Sequence, residues 1–271
     1  MDHYWSMSEP LLVSKRTSTT HPIVPVLLTR VTSTGQLADQ YWSHFPLIDL
    51  AMYRLLLALF LLTTTSLSAR NLDSLMQAYG LVEVTSLAPR IRVELKYATR
   101  DNFIGANMYG SLRKAYLHPN LARALARAQQ ALEREKPGYA FLIYDAARPQ
   151  SVQRRMYQAV AGTPKKIYVA APERGGRHNY GVAVDLTIVD AAGKPLDMGS
   201  PFDHFGEEAH LGDEGALVKK GVFAPEVPTN RALMKRLLGA EGLRPYDKEW
   251  WHYQERMSMP EVRKRYRLLD F

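Results

Sequence analysis

Alternation of apolar and polar residues, together with short apolar runs, predicts four strands along the chain. Ile91–Ala98 alternates as a half-buried strand does, whereas Ala140–Tyr144 is an apolar run typical of a buried strand. Val182–Val189 predicts a third strand, in which Asp185 stands where the core face would need an apolar residue. The aromatic-rich segment Glu249–Gln254 predicts the last strand.

Apolar residues at helical spacing predict three helices between these strands. Residues 119–136 carry such a stripe, and Pro119 suits a first helical turn because that turn needs no backbone N–H. Ser151–Ala161 predicts a second helix, and Asn230 can cap a third that runs through Leu238. Because helices and strands are mixed without a regular βαβ alternation, the chain predicts an α+β fold, with an antiparallel sheet and flanking helices.

A segment that resembles a secretory signal precedes these elements. Residues 52–69 read MYRLLLALFLLTTTSLSA, with Arg54 before an apolar run and small or polar residues up to Ala69. This order is typical of a signal peptide, and the apolar run is too short to span a bilayer. Because signal peptides stand at the N-terminus, we expect translation to start at Met52 and cleavage to fall near Ala69. A buried core helix and an uncleaved membrane anchor are the alternative interpretations.

This interpretation divides the chain into three parts. Residues 1–51 form a non-translated or disordered extension, residues 52–69 a signal peptide, and residues 70–271 one domain, since no repeat or linker interrupts them. We therefore expect the mature protein in the periplasm or outside the cell, without stable insertion in the membrane. The oligomeric state has no signature in the sequence.

Cysteine content and charge limit the kinds of site and partner that the chain can have. Cysteine is absent, which excludes disulfides and leaves only nitrogen and oxygen atoms as ligands for a metal such as zinc. The formal net charge of +8 could favour nucleic acid, anionic lipid or an acidic polymer, or it could serve solubility alone. Because no basic stripe with interleaved aromatic residues is present, the sequence argues against a nucleic-acid partner.

The densest candidate chemistry lies at the start of the third predicted strand. Asp185 follows His178 by seven positions, and Gly181 permits a turn that would bring both side chains to one point. A catalytic zinc usually has three protein ligands, and His252 is the candidate for the third. Regular strand geometry would place His252 and Glu249 on opposite faces. A twist or bulge would be required to bring both side chains to one metal.

Taken singly, these residues also have structural interpretations. A lone histidine is more often structural than a metal ligand, and Asp185 could instead cap a turn or pair with an arginine. The tryptophans beside His252 are compatible with a place in the core. Since no motif supports His118, His204 or His210, we expect these three residues to be structural.

The combined motifs resemble the zinc D-alanyl-D-alanine dipeptidases of the vancomycin-resistance type. These enzymes belong to a wider group of zinc D,D-peptidases that shares its metal site and fold with the hedgehog signalling domain. The group's pattern is S-x-H-x-x-G-x-A-x-D followed by E-x-x-H, matched here at His178, Gly181, Ala183, Asp185, Glu249 and His252. The dipeptidase branch adds segments matched here at Lys96–Thr99, Asp101–Phe103, Asp145–Pro149 and Met198–Asp203. Order and approximate spacing hold from about residue 82 to the C-terminus, so residues 70–271 are expected to be a catalytic domain with this hedgehog-like fold.

The resemblance implies a catalytic role for five residues. His178, Asp185 and His252 resemble the ligands of one zinc ion per chain. Glu249 resembles the base that takes a proton from zinc-bound water, and Arg148 resembles the arginine that stabilises the oxyanion of the tetrahedral intermediate. Such a set suits amide hydrolysis, because zinc can lower the pKa of bound water to about 7 and a nearby carboxylate can accept the proton.

The resemblance also implies how the substrate is held. Tyr97 and Asp203 resemble the groups that receive the free ammonium of a dipeptide. At the serine that opens the family pattern, and that helps to hold the substrate's carboxylate, this chain has Gly176, which offers only its backbone N–H. This departure weakens the expectation that D-Ala-D-Ala is the sole substrate, while it leaves the zinc chemistry intact.

These features favour an exported zinc metallopeptidase that hydrolyses D-alanyl-D-alanine or related peptidoglycan-derived dipeptides. A D,D-carboxypeptidase acting on longer peptidoglycan stems is one alternative, but a longer peptide would place no ammonium near Asp203 and Tyr97. A non-catalytic, zinc-stabilised binding domain is the other alternative. Glu249 and Arg148 argue against it, because a purely structural zinc needs neither.

Overall fold

The computed structural model describes residues 72–271. The expected start at Met52, the signal peptide at residues 52–69 and the extension at residues 1–51 lie outside the described residues. Within residues 72–271, no helix is both long enough and apolar enough to cross a membrane.

The described residues form two sheets and a set of helices around them. The strands are, in chain order, β1 (Val82–Glu83), β2 (Arg92–Val93), β3 (Tyr116–Leu117), β4 (Ala140–Asp145), β5 (Ala183–Val189), β6 (Leu243–Tyr246) and β7 (Glu249–Glu255). The helices are α1 (72–78), α2 (Val84–Leu87), α3 (Pro119–Glu135), α4 (Gln150–Ala159), α5 (Glu214–Lys219), α6 (Val227–Ala240) and α7 (Met259–Arg265). The predicted α+β class is confirmed.

The larger sheet is mixed, whereas the sequence predicts an antiparallel one. Its strand order is β2-β4-β5-β7-β6, while β1 and β3 form a separate two-stranded sheet. Neighbouring strands from β4 to β6 are antiparallel, but β2 pairs parallel with β4. Parallel neighbours need a long crossover connection, and here the connection contains β3 and the helix α3. The prediction of a wholly antiparallel sheet is therefore wrong at this edge strand.

Helix α3 and strand β4 agree with their predicted positions and form much of the core. The apolar stripe of α3 is buried in the main hydrophobic cluster together with apolar residues of β4 and β5. Proline stands in the first turn of α3, and the ring of His118 caps the helix by accepting the N–H of Asn120. His118 thus has the structural role that the sequence predicts.

Two predicted elements have boundaries that differ from those in the structure. In each, a polar group at the predicted boundary forms a hydrogen bond with a residue outside the predicted element. The third predicted helix, α6, begins at Val227 and not at Asn230, whose side chain instead donates to the carbonyl of Asp197 at 2.9 Å. The strand predicted at Ile91–Ala98 is reduced to β2, because the Tyr97 carbonyl accepts N–H groups from the following loop at 2.7 and 3.1 Å. Alternating burial nevertheless persists through this segment.

Two irregularities interrupt the larger sheet beside its most polar region. The pairing of β4 with β5 shifts register between Ile143 and Asp145, so that Asp145 lies opposite Asp185. The pairing of β6 with β7 shifts between Pro245 and Tyr246. Bulges of this kind re-aim side chains, and both occur on strands that carry predicted site residues.

Candidate active site

Three predicted metal ligands converge in the interior of the described domain. His178 lies on a 3-10 turn (Arg177–Tyr180) that leads into β5, Asp185 lies within β5, and His252 lies on the neighbouring strand β7. The Nε2 atom of His178 is 3.2 Å from Nδ1 of His252 and 3.4 Å from Oδ1 of Asp185. The third side of this triangle, from Asp185 Oδ1 to His252 Nδ1, measures 2.9 Å.

The donor set fits a tetrahedral metal such as zinc. Ligand atoms about 2.0–2.1 Å from a tetrahedral zinc are separated by roughly 3.3 Å, which is close to the three observed separations. Each imidazole also has a partner for its other nitrogen, since His178 Nδ1 faces the carbonyl of Ala146 at 2.8 Å and His252 Nε2 faces Oε1 of Gln254 at 3.1 Å. Those acceptors leave the inner nitrogens free to bind a metal.

Asp185 is held in its charged form at the centre of this group. Burial alone would raise the pKa of its carboxyl, but the charge and hydrogen bonds of His178 and His252 keep that pKa well below its usual range. A carboxylate that stays ionised is the state that a cation requires. The three side chains are all buried, so few water molecules compete for their ligand atoms.

Glu249 lies beside the metal group because β7 is irregular. Its Oε2 atom is 3.8 Å from His252 Nδ1, although regular strand geometry would direct residues three apart to opposite faces. The register shift between β6 and β7, where Tyr246 pairs with Glu249 and Pro245 with Tyr253, accounts for the difference. Burial raises the pKa of the Glu249 carboxyl, which moves it towards the range useful for a general base at neutral pH.

Arg148 follows β4 and lines the same cavity. Hydrogen bonds to neighbouring side chains fix the orientation of its guanidinium. Its Nε and Nη2 atoms donate to Oδ2 of Asp145 at 3.2 and 2.5 Å, and its Nη1 donates to Oε1 of Gln153 at 3.0 Å. Its backbone N–H donates to the His178 carbonyl at 2.9 Å. The guanidinium also lies 5.0 Å from the centre of the Tyr97 ring. These contacts hold the positive charge in a defined place next to the metal group.

An acidic pocket occupies another part of the cavity. The Tyr97 hydroxyl donates to both carboxylate oxygens of Asp203, at 3.0 and 3.1 Å, and the Phe103 N–H approaches Oδ2 at 3.4 Å. Burial raises the pKa of Asp203 to about 8, and the charge of Asp185 adds to the shift while the hydrogen bond from Tyr97 opposes it. Asp203 also has a φ of 61°, a left-handed conformation that is uncommon outside glycine. Strain of this kind is frequent at functional sites.

The backbone N–H of Gly176, the one donor that glycine leaves at this position, is bonded within the protein in this structure. It donates to Oδ1 of Asn179 at 2.7 Å, and the same Asn179 side chain donates to the Arg148 carbonyl at 2.8 Å. A Cβ atom at position 176 would meet only ordinary contacts, the nearest being Ala170 at 3.5 Å. The backbone therefore does not require glycine here, and its presence leaves space next to the metal group.

One cavity of about 380 Å³ brings together all eight residues that the sequence singles out. They are Tyr97, Arg148, Gly176, His178, Asp185, Asp203, Glu249 and His252. Part of its wall is aromatic: the Phe205 ring stacks on Tyr168 at 4.1 Å and meets the edge of Phe103 at 5.0 Å. A cavity of this size is within the range that binds small molecules.

Several polar residues of the site have no motif that sequence reasoning could have used. Gln153 and Gln254 each orient a site residue, Arg148 and His252 respectively, through a hydrogen bond. Asn179 braces the turn at His178 through two side-chain hydrogen bonds. Tyr109 donates to Asp145 at 2.6 Å. Only Gln254 has a weak signal in the sequence: it follows His252 by two residues in the same strand, so both side chains are expected on one face.

The remaining predicted structural histidines lie apart from the cavity. His204 pairs with Glu208 at 2.8 Å on the surface, and the carbonyl of His210 accepts a hydrogen bond from Arg231 at 2.7 Å. Neither residue lines the cavity that contains the metal group.

Comparison with known proteins points to one family. The sequence model of the peptidase M15 family described as D-ala-D-ala dipeptidase matches residues 77–267. A D-alanyl-D-alanine dipeptidase from Escherichia coli K12 is 34% identical over 178 residues, which cover 64% of this chain and 83% of that protein. Relatives with the same name from Streptomyces coelicolor and Enterococcus faecalis are 32% and 28% identical, and the alignments cover 63% and 65% of this chain and 88% and 91% of those proteins. With these matches and this site, the chain belongs to the peptidase M15 family of D-ala-D-ala dipeptidases.

Proposed function

We propose that the protein is a zinc-dependent peptidase that hydrolyses D-alanyl-D-alanine or related peptidoglycan-derived dipeptides. One observation carries the proposal: a three-ligand metal group, a nearby carboxylate and an acidic pocket for an ammonium share a single cavity. Each of these parts has a separate task in dipeptide hydrolysis, and together they define the position of the scissile amide. Residues His178, Asp185 and His252 would hold one zinc ion.

Glu249 moves the protons of the reaction. A zinc ion held by His178, Asp185 and His252 would supply Lewis acidity to this site. Glu249 accepts a proton from the attacking water and delivers it to the amine that leaves when the C–N bond breaks. Its raised pKa suits both halves of this transfer, because the carboxyl is a stronger base than an exposed glutamate and is still an adequate acid.

Arg148 provides the positive charge that the reaction needs at the carbonyl oxygen. Its guanidinium is already oriented by Asp145 and Gln153, so little reorganisation is needed as negative charge develops on that oxygen. The pairing with Asp145 uses Nε and Nη2, and Nη1 bonds Gln153. The guanidinium has five N–H groups, so two remain that can donate to a substrate oxygen in the cavity.

The acidic pocket favours a dipeptidase over a D,D-carboxypeptidase. Asp203 supplies a countercharge and Tyr97 a hydroxyl oxygen for a free ammonium, and a longer peptide would present a neutral amide there instead. Burial raises the pKa of Asp203 to about 8, and a bound ammonium would favour its charged form, whereas a neutral amide would gain no such charge pairing. The non-catalytic binding domain is disfavoured by Glu249, which lies within reach of the metal group but is not part of it.

A panel of zinc-loaded hydrolysis assays tests the function. We expect cleavage of free D,D-dipeptides, poor cleavage of their N-acetylated forms, and loss of activity with a chelator. Equal rates on N-acetylated and free dipeptides would favour the carboxypeptidase instead. A fully zinc-loaded protein that cleaves none of the peptides would favour the binding domain.

We also propose export and a hedgehog-like fold for the catalytic domain at residues 70–271. The signal-like segment at residues 52–69 ends before the family match begins at residue 77, so its removal would leave the matched region intact. N-terminal sequencing of protein exported by its native host should begin near Arg70, in the periplasm or the medium. Recovery of an intact chain that begins at Met1 would count against a start at Met52.

A further inference from the structure

A second recess lies on the surface beside the N-terminal half of α3. Its volume is about 430 Å³, and it shares no lining residue with the active-site cavity. Four arginines from three separate elements line it, and we call it the arginine groove. They are Arg123 and Arg127 of α3, Arg256 directly after β7, and Arg265 at the end of α7.

The two carboxylates of the arginine groove are already engaged within the protein. Nε of Arg127 donates to Oε2 of Glu241 at 2.5 Å, and Oε2 of Glu255 accepts the hydroxyl of Tyr266 at 2.6 Å. Within the described part of the chain, the other three arginines have no carboxylate within ion-pair distance (4.0 Å). The groove therefore holds three guanidinium groups without an anionic partner.

Positive charge is concentrated here. Arg123 and Arg127 are four residues apart, so they lie on one face of α3 and repel each other. The guanidinium of Arg123 donates to a neutral acceptor, Oδ1 of Asn120, at 2.8 Å, near the end of α3 where the helix dipole is positive. Burial lowers the pKa of His118, and the charges of Arg265 and Arg123 lower it further. An anion in the groove would relieve this repulsion.

The lining of the groove indicates which kind of anion fits. It includes the buried apolar residues Leu121, Ala124 and Leu243, and apolar walls that carry mostly one charge focus the field that attracts an anion. Guanidinium groups bond phosphate oxygens in pairs, and a tetrahedral phosphate can receive donors from several walls at once.

The same lining disfavours nucleic acid and a membrane. Neither an aromatic ring nor any of the large apolar side chains that are exposed in residues 72–271 lines the groove. Nucleic-acid bases would therefore have no ring on which to stack, and a bilayer would have no apolar anchor.

We propose that the arginine groove binds an acidic polymer with repeated phosphate groups. Of the three partners that the net charge of +8 could favour, this one suits a recess with several guanidinium groups and no anchor for bases or lipid. Because the groove and the active-site cavity have separate linings, the bound polymer holds the protein at a polyanionic surface while the cavity stays open to dipeptides. The proposal does not depend on the dipeptidase function.

Fluorescence anisotropy with labelled inorganic polyphosphate tests the proposal. The zinc-loaded wild type should bind, and its affinity should fall steeply as the salt concentration rises, because contacts to phosphate release counterions. A triple variant with Arg123→Gln, Arg256→Gln and Arg265→Gln should bind at least about 10-fold more weakly, since it loses three charged hydrogen-bond donors. A wild type that does not bind polyphosphate would overturn the proposal.

A matched control separates the groove from net charge. Arg100→Gln, Arg134→Gln and Arg154→Gln together remove the same charge from exposed arginines outside the groove, and this variant should bind within about threefold of wild type. An equal loss of affinity in both triple variants would contradict a specific site. If the groove variant has a lower Tm than the wild type, charge reversal at the exposed Arg256 alone (Arg256→Glu) provides the same test.

Vesicles distinguish the polymer from a membrane. Vesicles of equal parts phosphatidylglycerol and phosphatidylcholine should bind the wild type more weakly than polyphosphate does at the same concentration of phosphate groups. Binding to the vesicles that is equally tight, and that the groove variant loses, would assign the groove to a lipid surface and overturn the polymer.

Discussion

Asp185 and His252 are direct partners across the antiparallel pair β5 and β7, and their Oδ1 and Nδ1 atoms lie 2.9 Å apart. Two residues separated by 67 positions are therefore held together by the backbone hydrogen bonds of the sheet. A ligand pair built on adjacent strands is more rigid than one built on loops. The third member, His178, is attached to the same framework by the turn that leads into β5.

Removal of one imidazole ligand should remove the metal. His252→Ala should not retain zinc after dialysis, whereas Gln254→Ala should weaken zinc binding by about 10- to 100-fold, because Gln254 only orients the His252 ring. Zinc content measured by elemental analysis checks both. His204→Ala is the control, since its ring lies outside the cavity. Equal zinc content in His252→Ala and His204→Ala would contradict the assignment of the ligands.

Replacement of the base should separate turnover from metal binding. Glu249→Gln keeps the size of the side chain but cannot accept a proton, so kcat should fall by at least about 100-fold. Zinc stoichiometry and Tm should stay near the wild-type values, because Glu249 is not one of the three ligands. Glu255→Gln makes the same change on the same strand, outside the cavity, and should keep wild-type kcat. A Glu249→Gln variant with wild-type kcat would exclude Glu249 as the base.

Gln153 should affect catalysis through the orientation of Arg148. Its Oε1 accepts from Arg148 while its Nε2 donates to the carbonyl of Ala170 at 2.7 Å, so Gln153→Ala should lower kcat by about 10-fold with little change in zinc content. Gln153→Glu keeps the acceptor and should retain more activity. The matched control is Gln129→Ala, which removes an equally buried helical glutamine with two hydrogen bonds far from the cavity. Steady-state kinetics would show whether kcat falls only at Gln153.

The pH dependence of substrate binding should follow Asp203. With a pKa of about 8 in the free pocket, its carboxyl is neutral at lower pH, while the ammonium of a dipeptide loses its proton above about pH 8. KM for free dipeptides should therefore fall as the pH rises from about 6 to 8. In Asp203→Asn, KM should be higher and this fall should be absent. If KM falls with pH equally in both proteins, a group other than Asp203 causes the pH dependence.

Asp203 should also lower the stability of the folded protein at alkaline pH. A carboxyl whose pKa is raised on folding contributes stability that is present below its unfolded pKa of about 3.9 and is lost as the pH rises through about 8. Asp203→Asn removes this loss, so its Tm should exceed that of wild type by at least about 2 °C at pH 8.5 and by less at pH 5. Thermal melting at the two pH values checks the difference. A constant Tm difference would show that Asp203 does not titrate in this range.

Local elements and the residue types of the site were readable from the sequence. Helix α3 and strand β4 have the predicted positions because their signals, an apolar period and a proline or a short apolar run, lie within contiguous residues. His178 and Asp185 could be paired in the same way, since one short turn separates them. Edge strand β2 was only partly predictable, because its parallel pairing depends on a crossover that no local pattern encodes.

Only the tertiary structure decided how distant residues meet. The sequence alone left Glu249 and His252 on opposite strand faces, and the register shift against β6 brings both to the metal group. No local pattern predicts that the Gly176 N–H is bonded to Asn179. The same is true of the approach of Arg177 and Arg244 to one carbonyl oxygen. The physical reason is that register and side-chain hydrogen bonds between separate segments are set by the packing of the whole sheet, whereas helices and buried runs are encoded by their own residues.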